Sequence, residues 1–126
     1  MKRCWFGLGL LMALLIGGLL VTRVLADRHS RLSAMLDRAA AAAEAGEWAE
    51  AEDCFRQARQ SWEKNWHFSA AFVDHDPMED IDSIFAQAEV FLRSRDPVAM
   101  AAVCRQLARL TAAIGEAHIP NWWNLL

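Results

Sequence analysis

The chain is poor in the residues that build compact catalytic or cross-linked scaffolds. Its three cysteines stand at positions 4, 54 and 104, too few and too scattered for a paired disulfide framework. There is no glycine-rich phosphate loop, and none of the serines at 30, 33, 61, 69, 83 and 94 sits in a nucleophile motif. No segment alternates apolar and polar residues as a half-buried strand would, which removes sandwiches and barrels. Residues 27–126 hold 10 Lys or Arg against 16 Asp or Glu, a balance of −6, and phosphate backbones are repelled by such a field. The balance therefore argues against nucleic acid as a partner, and the expectation is a protein that is not an enzyme and has no cofactor.

Charge is also missing from one long stretch, Cys4 to Val21, which follows Met1, Lys2 and Arg3. At about 1.5 Å of helical rise per residue, such a run spans a hydrocarbon core that needs roughly 20 residues. A cleaved signal peptide is the competing reading, since Val24, Leu25 and Ala26 precede a possible cut. Against it, the apolar core exceeds the usual signal length, and Arg23 lies in the would-be cleavage region. Cys4 precedes the run rather than closing it, which disfavours a lipoprotein. The sequence thus divides into an anchor, residues 1–26, and a bundle domain, residues 27–126. Lys2 and Arg3 favour an inside N-terminus, although Arg23, Arg28 and Arg31 beyond the span reduce the asymmetry. The expected location is the cell membrane, single-pass, with most of the chain outside the cytoplasm.

Past the anchor every apolar pattern has helical period. Leu25, Leu32, Leu36, Ala39 and Ala43 form one stripe, which Gly46 ends. A second helix starts near Glu47, carries Trp48, Ala51, Phe55, Ala58, Trp62 and Trp66 on one side, and is expected to reach about Val73. Asp76, Pro77 and Glu79 then supply a capping carboxylate, a proline at the first helical position and a glutamate three residues after the cap. Ile81, Ile84, Phe85, Ala88, Phe91 and Leu92 continue that third helix. Asp96 and Pro97 repeat the start signal before Met100, Val103, Leu107, Leu110 and Ile114. The predicted fold is all-α: an N-terminal transmembrane helix followed by an antiparallel bundle of about four helices.

Residues 46–58 resemble the middle of a tetratricopeptide repeat, and residues 95–107 echo them at an offset of 49, aligning Arg56-Gln57 with Arg105-Gln106. A repeat array needs about three units for stability, so two hairpins in a closed bundle are expected rather than a solenoid. Alanines 39 to 43 could let a second copy approach closely, though such a stretch is more simply good helix.

The concentrated polar chemistry lies at Asp74, His75, Asp76, Glu79, Asp80 and Asp82, with His67 upstream. Carboxylates around one imidazole suit a divalent cation, making His75, Asp76, Asp80 and Asp82 the candidate metal ligands. Their spacing matches no calcium loop, zinc-protease pair or di-iron motif. The simpler and preferred reading is structural: helix capping by Asp76 and Glu79, acidic charge at a helix N-terminus, and a buried His75 hydrogen-bonded across the junction. In an up-and-down bundle these acids return toward Arg23, Arg28 and Arg31, so Arg28, Arg31 and Asp74 are candidates for orienting the bundle on its anchor. Trp5 suits a membrane interface, and Trp122 and Trp123 either close the base of the bundle or enter lipid headgroups.

The N-terminal anchor, the Gly46-Glu47-Trp48 turn, the Asp74-His75-Asp76 junction with Asp80-Ile81-Asp82, and the His118-Ile119-Pro120 tail together resemble the bacterial family called domain of unknown function 4363. The resemblance spans almost the whole chain. It implies a small single-pass membrane protein of Firmicutes with a helical extracytoplasmic domain and no established activity. Asn121, Trp122 and Trp123 depart from the charged tail that the resemblance implies. The functional expectation is an interaction or scaffold domain whose partners are membrane lipid and another envelope protein or itself, with a metal or small-ligand module at His75 as the alternative.

Overall fold

A computed structural model describes residues 2–69 and 76–117, with side chains over 5–65 and 78–115. Four helices follow in order: α1 (Lys2–Glu44), α2 (Trp48–Ser69), α3 (Asp76–Ser94) and α4 (Pro97–Ala117). Strands are absent among the described residues, as the helical periodicity requires. The α2 helix is described to Ser69, and the expected end near Val73 lies outside the described residues.

The α1 helix passes through the anchor–domain boundary without a break. What changes there is burial. Large apolar side chains from Trp5 to Val24 are exposed, and the first buried side chain is His29, followed by Leu32, Leu36, Ala39, Ala40, Ala42 and Ala43. One helix therefore supplies an unpartnered apolar segment and a core element.

Two turns of the same design join the hairpins. After α1, the Gly46 amide donates to the Ala43 carbonyl (3.1 Å) and the Glu47 amide to Ala42 (2.9 Å). After α3, the Arg95 amide donates to Leu92 (3.3 Å) and the Asp96 amide to Phe91 (3.3 Å). This paired pattern closes a helix through one left-handed residue, filled by Gly46 at φ 75° and by Arg95 at φ 52°. Each turn then starts the next helix at once. Glu47 and Asp96 accept backbone bonds from Ala51 and Met100, and the Asp96 carboxylate caps the Ala99 amide at 3.0 Å. The internal echo at an offset of 49 is thus a real equivalence of turns.

The core tapers from small to large side chains. Along α1, Ala39, Ala40, Ala42 and Ala43 are buried, and α4 is the helix against which α1 packs most extensively. Those four alanines serve the core of one chain, while Ala41 between them is exposed. At Gly115 on α4, an added Cβ would stand 2.8 Å from the His29 Cβ, so the helices cross too closely there for any larger residue. The α2 and α3 helices are held apart by rings. Phe85 contacts Phe55 at 5.8 Å between centroids, tilted by 47°, and Trp62 at 6.2 Å, nearly parallel at 29°. Large rings on one side and alanines on the other close the bundle, with Arg59 of α2 reaching Glu89 of α3 at 3.4 Å.

Two residues depart from the expected stripes. Leu110, expected in the core, is 37% exposed, while Thr111 is fully buried. The Thr111 hydroxyl donates back to the carbonyls of Leu107 (2.9 Å) and Ala108 (3.1 Å), which removes the cost of burying it.

Candidate functional site

Helical geometry brings three segments to the base of the bundle, where α1 leaves its exposed apolar half. Arg28 Nη1 donates to Asn65 Oδ1 near the end of α2 at 3.5 Å, and His29 packs on Gly115 near the end of α4. These contacts confirm the up-and-down course that returns α2 and α4 toward the start of the core. His29 was missed in the sequence because its imidazole hid its place in the stripe. It stands one turn before Leu32 and shares that buried face.

Only part of the acidic junction falls among the described residues. Asp80 and Asp82 are exposed on α3 and, two residues apart on a regular helix, project about 200° apart around its axis. Two such carboxylates do not converge on one ion. Among the described residues no three His, Cys, Asp or Glu side chains gather into a metal-sized cluster. His75, Asp74, Trp122 and Trp123 lie outside the described residues, and Asp76 is described only as the first residue of α3. Neither Arg28 nor Arg31 forms an ion pair with Asp80 or Asp82 among the described residues. Arg28 instead takes Asn65, and the field of Asp82 falls on Arg59, together with those of Glu89 and Glu63. The hydrogen bond from Arg59 to Glu63 is the first cause holding that guanidinium's proton more tightly than usual.

Above Asp80 runs a groove of about 570 Å³ between α3 and α4. Its walls are apolar, from Ile81 and Ile84 on one side and Leu110, Ala113 and Ile114 on the other, with Asp80, Ser83 and Gln106 also lining it. This explains the exposure of Leu110, which walls a groove instead of filling a core. Such a surface takes apolar side chains and offers no convergent acid, base and nucleophile.

Two cysteines belong to the core. Cys54 and Cys104 are buried, and burial first, then the charge of Asp37, pushes the Cys104 thiol up to about 12. A thiol held protonated is neither a nucleophile nor a ready metal ligand.

An apolar N-terminal helix long enough to cross a membrane, continuous with a closed four-helix bundle, defines the class of this protein. The α4 helix passes the same test of length and composition, but its apolar residues Met100, Val103, Cys104 and Leu107 are core. Within that class, the chain belongs to the family described as domain of unknown function (DUF4363), whose model matches residues 19–125. No curated protein and no solved structure matches the chain. The family match begins inside the apolar segment and takes in the whole bundle.

Proposed function

We propose that this protein is a membrane-tethered, non-enzymatic interaction domain that holds its bundle outside the cytoplasm and presents it to another envelope protein. The observation that carries the reading is the abrupt change along one unbroken helix. From Trp5 to Val24 its large apolar side chains face outward with nothing packed on them, and from His29 its buried face belongs to a core. A contiguous exposed apolar surface of that length has lipid as its natural solvent. A helix that continues unbroken from lipid into the core acts as a stiff stalk, since no loop intervenes to absorb rotation.

Orientation follows from Lys2 and Arg3, which favour retention of the N-terminus inside. The test is carbonate extraction and flotation of the full chain, with protease added to intact cells. The wild type is expected to float and to lose its bundle to external protease. Leu14→Arg with Leu15→Arg places two charges near mid-span, each costing about 2.5–3.5 kcal/mol, and is expected to abolish flotation. A wild-type chain fully released by carbonate would overturn the tether.

A further inference from the structure

At the other end of the bundle, α2, α3 and the turn before α4 enclose a cleft of about 270 Å³. Leu92, partly buried, gives it an apolar base, beneath which Phe55 is buried in the core. Its two acids are already engaged: Glu52 pairs with Arg56 one turn along α2, and Glu89 pairs with Arg59. Arg93 and Arg95 also line the cleft and make no ion pair or side-chain hydrogen bond with any described residue. Three arginines, Arg56, Arg93 and Arg95, against two glutamates, Glu52 and Glu89, make the cleft locally positive although the domain is acidic overall, and two of those guanidiniums are uncommitted.

Arg95 adds a second, independent observation. It occupies the left-handed position that Gly46 fills in the equivalent turn, at φ 52°. A side chain in that conformation costs folding energy that glycine would avoid, and such residues concentrate where geometry serves a purpose. Here the strained residue is an arginine facing a cleft.

We infer that this cleft binds an acidic polypeptide segment, its carboxylates held by Arg93 and Arg95 and an apolar side chain set on Leu92. The inference rests on reading the domain as a tethered interaction module and names the chemistry of its partner. Planar guanidinium forks match carboxylates bidentately, and the apolar base asks for more than a bare anion. Lipid headgroups of the tethering bilayer are out of reach. Arg56 lies nine residues along α2 from Asn65, about 14 Å farther from the base at helical rise, whereas headgroups extend roughly 6 Å past the hydrocarbon.

The test uses the full chain in zwitterionic nanodiscs and a short fluorescent peptide of aspartate and glutamate with one central phenylalanine, followed by polarisation. Saturable binding that weakens with salt is expected. Arg93→Gln and Arg95→Gln should each weaken it about fivefold, and Arg109→Gln, exposed and outside the cleft, by less than about twofold. Arg95→Gly should raise Tm by several degrees while weakening the peptide, a pair of opposite effects that a purely structural arginine does not produce. The inference is overturned if the peptide fails to bind, if Arg93→Gln and Arg95→Gln bind like the wild type, or if inorganic phosphate at equal charge displaces it as well as an unlabelled peptide does. Flotation of the same chain separates the two readings. Intact flotation without peptide binding removes the cleft alone, and intact peptide binding without flotation sustains the cleft and removes the tether.

Discussion

Replacing Gly115 by alanine sets two effects of known size against each other. In a helix interior, glycine to alanine gains about 0.8–1 kcal/mol from propensity, an upper bound for Gly115 in the last turn of α4. At this position, however, the new methyl would lie 2.8 Å from the Cβ of His29 and 3.3 Å from its Cγ. The first of these atoms is fixed to the α1 backbone, so no rotamer change of His29 moves it away. Relief requires α1 and α4 to separate, and overpacking that displaces backbone costs about 1–3 kcal/mol. The clash outweighs the propensity gain, and Gly115→Ala is expected to lower stability by about 1 kcal/mol, or about 4–8 °C in Tm for a domain of this size. The assay is a thermal melt of the full chain in detergent micelles, followed by helical circular dichroism. His29→Ala combined with Gly115→Ala keeps the clashing Cβ and should not recover the loss, whereas His29→Gly with Gly115→Ala should recover part of it. A rise in Tm for Gly115→Ala alone would refute the close crossing, because it would show propensity prevailing with room to spare.

Phe85→Ala removes the ring that touches both Phe55 and Trp62 and should cost about 3–5 kcal/mol, read as a lowered urea midpoint with the α2–α3 face opened first. The Arg105 fork holds Glu44 at 2.6 and 2.7 Å, and its hydrogen bonds keep the Glu44 carboxyl below its ordinary range against a smaller opposing effect of desolvation, with the charge of Arg105 adding least. A depressed folded value means the stabilisation is present above the unfolded value and is lost as pH falls through the folded one. The Tm gap between wild type and Arg105→Ala should therefore close under acid and stay constant at neutral pH. Titration with calcium, magnesium, manganese or zinc is expected to leave Tm unchanged, since Asp80 and Asp82 diverge on α3. A saturable rise abolished by both His75→Ala and Asp80→Ala would restore the metal-binding alternative.

The period and punctuation of the chain made most of the fold legible. Asp76-Pro77 and Asp96-Pro97 open helices where expected, Gly46 closes one, and Leu32, Leu36, Phe55, Phe85, Met100 and Leu107 are core as their spacing implies. Those signals are local, because caps, prolines and stripes act within a turn or two of chain. The candidate site was less legible. His75, on which the candidate ligand set turns, lies outside the described residues, and of the acids Asp80 and Asp82 face different sides of α3 because a helix rotates about 100° per residue.

By itself, then, the sequence determined the apolar length of α1, the four helices, their turns and the acidic balance of the domain, because each depends on neighbours in the chain. Only the tertiary structure decided which surfaces meet. It placed the alanines of α1 inside against α4, set His29 on Gly115 across about 86 residues of sequence, turned Leu110 toward a groove, and brought Arg93 and Arg95 to a cleft walled by α2. The physical reason is that a helical stripe states only that a side chain seeks burial. Which partner buries it depends on the relative sizes of side chains on distant helices, small between α1 and α4 and aromatic between α2 and α3, and that comparison exists only once the bundle has closed.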